Sequence, residues 1–123
     1  MTLIWVALGG AIGSALRYLT NLAALRLLGV GFPWGTAAVN VVGSFAMGLL
    51  AVLLLERTGN SRFASFLLTG VLGGFTTFSA FSLDAVRLVE QGHMDSAVYY
   101  IAGSVALSLA ALMIGMALAR GLA

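Results

Sequence analysis

The sequence predicts an all-α membrane protein of four transmembrane helices, the third broken in mid-membrane. Three observations predict it: 61% of the residues are hydrophobic, only 8% are charged, and the apolar residues fall into four long stretches separated by short polar turns. A soluble domain carries about 25% charged residues because its surface has to hold water. With a mean hydropathy of +1.08, this chain cannot cover such a surface, so its solvent is lipid. At about 20 apolar residues per span, residues 1–123 have room for one four-helix transmembrane domain and little more. The same composition excludes other classes. Six arginines, no lysine and four acids give a net charge of +2, too sparse for a nucleic-acid-binding stripe. The absence of cysteine rules out disulfides, thiolate metal sites and cysteine nucleophiles. Met1–Ala15 lacks a cationic start, so a cleaved leader is not expected.

The first span runs from Leu3 to Leu28 with Arg17 inside it. Gly29-Val30-Gly31-Phe32-Pro33-Trp34-Gly35 follows as a loop, with glycine and proline breakers and a tryptophan suited to the membrane interface. The second span is Thr36–Leu55, and Glu56-Arg57-Thr58-Gly59-Asn60-Ser61-Arg62 is a polar turn. The third stretch, Phe63–Val89, is interrupted by Gly73-Gly74-Phe75-Thr76-Thr77. Glu90-Gln91-Gly92-His93-Met94-Asp95 is the last turn, and Ser96–Leu118 is the fourth span. Connections this short make neighbouring helices antiparallel. His93 has no second histidine, cysteine or carboxylate at ligand spacing and reads as a solvated loop residue.

Sixteen glycines would weaken isolated helices. In lipid, small residues offset that loss by letting backbones approach closely. Gly9, Gly13, Arg17 and Asn21 form one slowly winding stripe at i+4 steps; Asn40, Gly43, Met47 and Gly48 lie near one face of the second span. Ser104, Ser108, Ala111 and Gly115 do the same in the fourth. Close packing without function accounts for most of these glycines.

Few polar residues lie deep in the spans. Arg17 would cost about 2.5–3.5 kcal/mol at a helix centre, so it faces a watery vestibule, pairs with backbone carbonyls, or snorkels as a packing residue. Asn40 can donate hydrogen bonds into a pathway or tie two helices together. Asp84 is placed near the headgroups, one turn before Arg87. At the Gly-Gly-Phe-Thr-Thr interruption, freed backbone groups have to be buried in protein or line a cavity. Unwound carbonyls of this kind make a cation site. Phe75, Phe78 and Phe81 recur at i+3; such a stripe more often packs than conducts, but beside a break and a run of hydroxyls its positive ring edges could line a route for a small anion.

Together, Gly9-Gly10-x-x-Gly13-x-x-x-Arg17-Tyr18, Gly35-Thr36-x-x-x-Asn40-x-x-Gly43-x-Phe45 and Gly73-Gly74-Phe75-Thr76-Thr77-Phe78-Ser79-Ala80-Phe81 resemble the Fluc (CrcB) family of fluoride channels. The resemblance covers nearly the whole chain, including span number and loop lengths. It implies a multi-pass protein of the cell (inner) membrane that gives fluoride passive export. It also implies an antiparallel homodimer with two narrow pores and a central structural sodium ion on backbone carbonyls. Carried onto this sequence, Gly73 and Thr76 supply those carbonyls, and Asn40, Phe78 and Phe81 line the pores with Ser79, Ser104 and Ser108 as a polar track. The family commonly has threonine where this chain has Ala80, so any role for that hydroxyl is lost or passes to Ser79 or a bound water.

No nucleophile–base pair, phosphate loop or metal-hydrolase motif is present, so an enzyme is not expected. The alternative is a small four-helix dual-topology multidrug or cation antiporter, which needs a carboxylate at the centre of a span. This chain offers Arg17 instead. A membrane assembly subunit without transport would leave Asn40 and the break without a purpose.

The charges add a prediction about insertion. One membrane face collects Arg57, Arg62 and Arg120 and the other Arg26 and Arg87. Orientation follows Lys/Arg bias in short loops, and one arginine is almost no bias. The chain is therefore predicted to insert both ways, as an antiparallel homodimer requires. A cysteine placed at Ser61 should react with an impermeant thiol reagent from both sides of the membrane; labelling from one side only would contradict it.

Overall fold

The computed structural model describes residues 2–29, 31–58 and 61–121. Val30, Gly59 and Asn60, which the sequence places in turns, lie outside the described residues, as does the side chain of Arg57. Helix α1 is Thr2–Leu28 and α2 is Trp34–Ala51, which continues into a wider π-helical segment, Val52–Thr58. The third stretch is built in pieces: α3 (Ser61–Ala64), a π-helical segment (Ser65–Leu72), α4 (Gly73–Phe75) and α5 (Ser79–Glu90). Helix α6, Met94–Gly121, completes the chain. Among the described residues, four helical stretches are long and apolar enough to cross a membrane: Thr2–Leu28, Trp34–Glu56, Arg62–Glu90 and Met94–Gly121. Each begins one to two residues before the expected start, and the last three end one to three residues beyond the expected limit.

The turns are closed by backbone geometry. Gly29 has φ +84° and returns its N–H to the Leu25 carbonyl at 3.0 Å, ending α1 in the left-handed conformation that glycine adopts without strain. Gly92, also at φ +84°, ends α5: its N–H reaches Val89 O (3.0 Å) while His93 N–H reaches Leu88 O (2.8 Å). These paired bonds satisfy carbonyls that a helix end otherwise strands. The His93 carbonyl then accepts from Ala97 N–H at 2.9 Å, so the exposed His93 joins two helices through its backbone. Asp95 in the first turn of α6 complements the positive end of that helix.

Glycine seams set how the helices pack. A Cβ on Gly9 would lie 2.9 Å from Gly70 Cα, one on Gly13 would meet the Val71 carbonyl, and one on Gly74 would lie 2.7 Å from Gly10 O. Backbone therefore touches backbone along the contact of α1 with the third stretch. The α2–α6 contact is alike: a Cβ on Gly48 would strike the Leu112 carbonyl, and one on Gly115 the Phe45 carbonyl. Two small cores flank the middle of the third stretch. Ala64, Leu68 and Leu72 pack with Met47, Leu50 and Leu54, while Phe81, Ala85 and Leu88 pack with Ala97, Tyr100 and Phe32. Bulky residues such as Leu3, Leu8, Ile12, Leu19, Leu107 and Met113 point outward, as lipid requires.

These seams give opposite expectations for two glycines. Gly13→Ala forces a methyl into the Val71 carbonyl, and overpacking of this kind costs about 1–3 kcal/mol. Gly103 has nothing within 4 Å of an added Cβ, so Gly103→Ala should be neutral or raise the melting temperature through helix propensity. Thermal unfolding of the purified variants in detergent checks the pair; equal melting temperatures would contradict the seam.

Candidate functional site

The centre of the third span is where helix gives way. In Arg62–Glu90 the central residue is Thr76, and it is extended, at φ −85° and ψ 159°. The sequence places the interruption across Gly73–Thr77; in the structure Gly73–Phe75 are still helical and the helix resumes at Ser79. Glycine permits an interruption, but the side chains that hydrogen-bond around it locate it.

Most backbone groups here have a partner, and those without one are as informative. The Leu72 carbonyl accepts from both Thr76 N–H (3.0 Å) and the Thr76 hydroxyl (2.8 Å). Thr77 N–H donates to Asn40 Oδ1 at 2.9 Å, and Asn40 Nδ2 donates back to the Thr77 carbonyl at 3.0 Å. Ala80 N–H donates to Thr77 Oγ1 at 3.2 Å. Arg17 Nε donates to the Gly74 carbonyl at 3.1 Å, the pairing with backbone that was one of its expected roles. The Phe78 carbonyl accepts from Ser82 N–H (2.9 Å) and the Ser82 hydroxyl (3.0 Å). Among the described residues, no backbone N–H from beyond the interruption reaches the carbonyls of Gly73 or Thr76. These are neutral, hard oxygens without carboxylate neighbours, a donor set that suits a small monovalent cation better than Ca²⁺.

A cavity of about 410 Å³ opens beside this segment, lined by Asn40 and Ser44 of α2, Ser104 and Ser108 of α6, and Gly73, Thr76, Thr77, Phe78 and Phe81 of the third stretch, with Val105. Five of the six residues expected to line a pathway, Asn40, Phe78, Phe81, Ser104 and Ser108, meet here. Ser79 is not among the lining residues: it is exposed, with its hydroxyl 3.3 Å from Thr77 Oγ1. Sequence reasoning missed Ser44 and Thr77. Ser44 stands one turn beyond Asn40, a signal that was available; Thr77 meets Asn40 through its backbone, for which residue type gives no signal, and Ala80 N–H through its hydroxyl. The hydroxyl-bearing residues Ser44, Ser104 and Ser108 all belong to the cavity wall.

The three phenylalanines do not share one helical face, because the extended Thr76 separates Phe75 from Phe78 and Phe81. Phe75 lies close to Gly43, with a ring carbon 3.3 Å from where a Cβ would stand. Phe78 is 77% exposed and Phe81 only 8%, although their ring centroids are 5.6 Å apart. Phe81 is locked by Tyr100, whose ring lies 5.1 Å away and which itself is 1% exposed. Tyr100 is one turn before Ser104 on α6, and its hydroxyl donates to Asp84 Oδ2 at 3.2 Å. Asp84 and Arg87 both line a second opening of about 420 Å³ with Asn21, Gln91 and the Phe32–Thr36 segment.

Comparison with known proteins gives a single result. Residues 4–116 match the family described as CrcB-like protein, Camphor Resistance (CrcB). The chain is 61% identical over 120 residues to the fluoride-specific ion channel FluC of Cereibacter sphaeroides (strain ATCC 17029 / ATH 2.4.9), covering 98% of this chain and 95% of that protein. It is 57% identical over 121 residues to that of Paracoccus denitrificans (strain Pd 1222), at 98% and 96% coverage. With that of Agrobacterium fabrum (strain C58 / ATCC 33970) it shares 55% over 118 residues, at 95% and 94%.

The Tyr100–Asp84 hydrogen bond makes a test of this geometry. Tyr100→Phe deprives a partly buried carboxylate of its donor, which should destabilise the protein by about 1–3 kcal/mol. Asp84→Asn keeps an oxygen to accept from Tyr100 and should lower the melting temperature less. Thermal unfolding in detergent would contradict the pairing if the two losses were reversed.

Proposed function

The chain belongs to the CrcB-like family, and on that premise we propose that it is a fluoride-specific ion channel whose conduction path is the cavity between α2, α6 and the interrupted third span. It is a multi-pass protein of the cell membrane and gives fluoride passive exit. The observation that carries the assignment of the path is the character of the cavity wall: none of its ten lining residues bears a formal charge, and most carry a hydrogen-bond donor or a ring edge.

Fluoride is small and strongly hydrated, so a selective path must replace its water while staying too narrow for larger anions. Asn40 has one Nδ2 hydrogen left after its bond to Thr77, and Ser44, Ser104 and Ser108 each have a hydroxyl. Phe78 and Phe81 add positive ring edges and steric exclusion. Neutral donors bind weakly enough to release the ion, which conduction requires. Arg17 stands outside this wall and supports it by holding α4 to α1. Ser79 lies at the edge of the track, beside Thr77.

Two finer features complete the reading. The chain works as an antiparallel homodimer, in which a second copy covers the exposed Phe78 ring; the near balance of arginines between the two faces supports both orientations. Sodium sits at the two-fold centre, where Gly73 and Thr76 of both copies offer four carbonyl oxygens. Bound there, it would supply a fixed positive charge joining the copies, as part of the fold and not as cargo.

Fluoride efflux from liposomes tests the path. Phe78→Ile and Phe81→Ile should each slow fluoride efflux by at least about tenfold, or about 1.4 kcal/mol in barrier, while leaving the dimer intact on size-exclusion chromatography. Asn40→Asp should block efflux by placing an anion in the path, and Ser104→Ala or Ser108→Ala should weaken it less, since the hydroxyls are redundant. Parent-like efflux through both phenylalanine variants would move the path elsewhere.

A further inference from the structure

We propose that Asn40 and Thr77 are positioning residues for the cation site: their side chains keep the Gly73 and Thr76 carbonyls open by taking the N–H groups that a continuous helix would deliver to them. The proposal rests on the sodium reading above and assigns it a cause within the chain.

In an α-helix each N–H bonds the carbonyl four residues earlier. Continuous helix through this segment would send Thr77 N–H to Gly73 O and Ala80 N–H to Thr76 O, quenching both oxygens. Both donors are instead taken by side chains: Thr77 N–H by Asn40 Oδ1 at 2.9 Å and Ala80 N–H by Thr77 Oγ1 at 3.2 Å. The Gly73 and Thr76 carbonyls, assigned to the cation, are the ones whose helical donors are taken by side chains. Among the described residues the Phe75 carbonyl also receives no backbone N–H from beyond the interruption, but its helical donor, Ser79 N–H, is not held by a side chain. Leu72 O is occupied by Thr76, Gly74 O by Arg17, Thr77 O by Asn40 and Phe78 O by Ser82.

The geometry is over-determined. Asn40 contacts Thr77 at two points, oxygen on N–H and nitrogen on carbonyl, so a flipped amide would break both bonds. Thr77 Oγ1 is further fixed by Ser79 Oγ at 3.3 Å. Because Asn40, Gly73, Thr76 and Thr77 all border one cavity, the same amide serves the pore wall and the cation site. A change at Asn40 or Thr77 should therefore alter cation affinity even when no ion is moving.

The test is thermal unfolding of the full-length protein in detergent, titrated with Na⁺ against N-methyl-D-glucamine at constant ionic strength. The parent's melting temperature should rise with Na⁺ through a definable midpoint. Thr77→Val removes the acceptor for Ala80 N–H, lets that donor return to the Thr76 carbonyl, and should raise the midpoint about threefold to tenfold, the worth of one hydrogen bond. Thr77→Ser keeps the hydroxyl and should stay within about twofold of the parent, well inside that range. Asn40→Leu, which frees Thr77 N–H for Gly73, should shift it at least as far as Thr77→Val; should Asn40→Leu fail to fold, the Thr77 pair decides. If the parent titrates but Thr77→Val shares its midpoint, the carbonyls are open without these side chains and this proposal falls alone. If the parent is indifferent to Na⁺, the sodium reading falls and takes the proposal with it.

Discussion

One requirement governs this structure: the backbone of Thr77, at the middle of a membrane span, has to find partners without water, and the Asn40 amide provides both. An unpaired N–H or carbonyl in hydrocarbon costs several kcal/mol, so an interrupted helix in a span persists where another element completes it or where its free groups line a cavity. Asn40 does so from α2, with bonds of 2.9 and 3.0 Å. Much else follows from that contact. Thr76 is released into an extended conformation, the helix restarts at Ser79, and Phe75 is set apart from the Phe78–Phe81 pair. Phe78 is turned outward while Phe81 is packed under Tyr100.

The glycine seams provide the closeness that this contact needs. Helix α1 approaches the third stretch backbone to backbone at Gly9, Gly13 and Gly74, and Arg17 ties the last helical turn before the interruption to α1 through the Gly74 carbonyl. On the other side, Gly43 accommodates the Thr76 methyl group, so α2 can come close enough for Asn40 to reach Thr77. A larger residue at Gly43 would push α2 away and break the clamp indirectly. Packing and site are in this sense one arrangement: small residues bring the helices together, and the few polar groups use the short distance.

What could be read from the sequence followed from what lipid forbids. The four spans were legible because charged and turn residues are confined to their ends, and the stripe Gly9–Gly13–Arg17–Asn21 was legible because helical periodicity puts those residues on one face. Asn40 stood out as a polar residue inside a span, while Phe78, Phe81, Ser104 and Ser108 were assigned to the path through the family resemblance. The remaining features depend on where an extended segment points its side chains, which periodicity cannot supply. The i+3 spacing of Phe75, Phe78 and Phe81 assumed a continuous helix, and the extended Thr76 broke that assumption. Ser79, placed in the track by the family resemblance, starts the new helix with its hydroxyl 3.3 Å from Thr77 Oγ1. Thr77 was not singled out because it meets Asn40 through its backbone and because the reach of its hydroxyl to Ala80 N–H depends on the local fold.

The central claim, that this chain passes fluoride through a neutral, donor-lined path, is tested most directly by ion efflux from liposomes containing the purified parent protein. Vesicles loaded with equal fluoride and chloride should lose fluoride far faster than protein-free vesicles while retaining chloride. Fluoride loss at the protein-free rate, or loss of both anions together, would contradict the account.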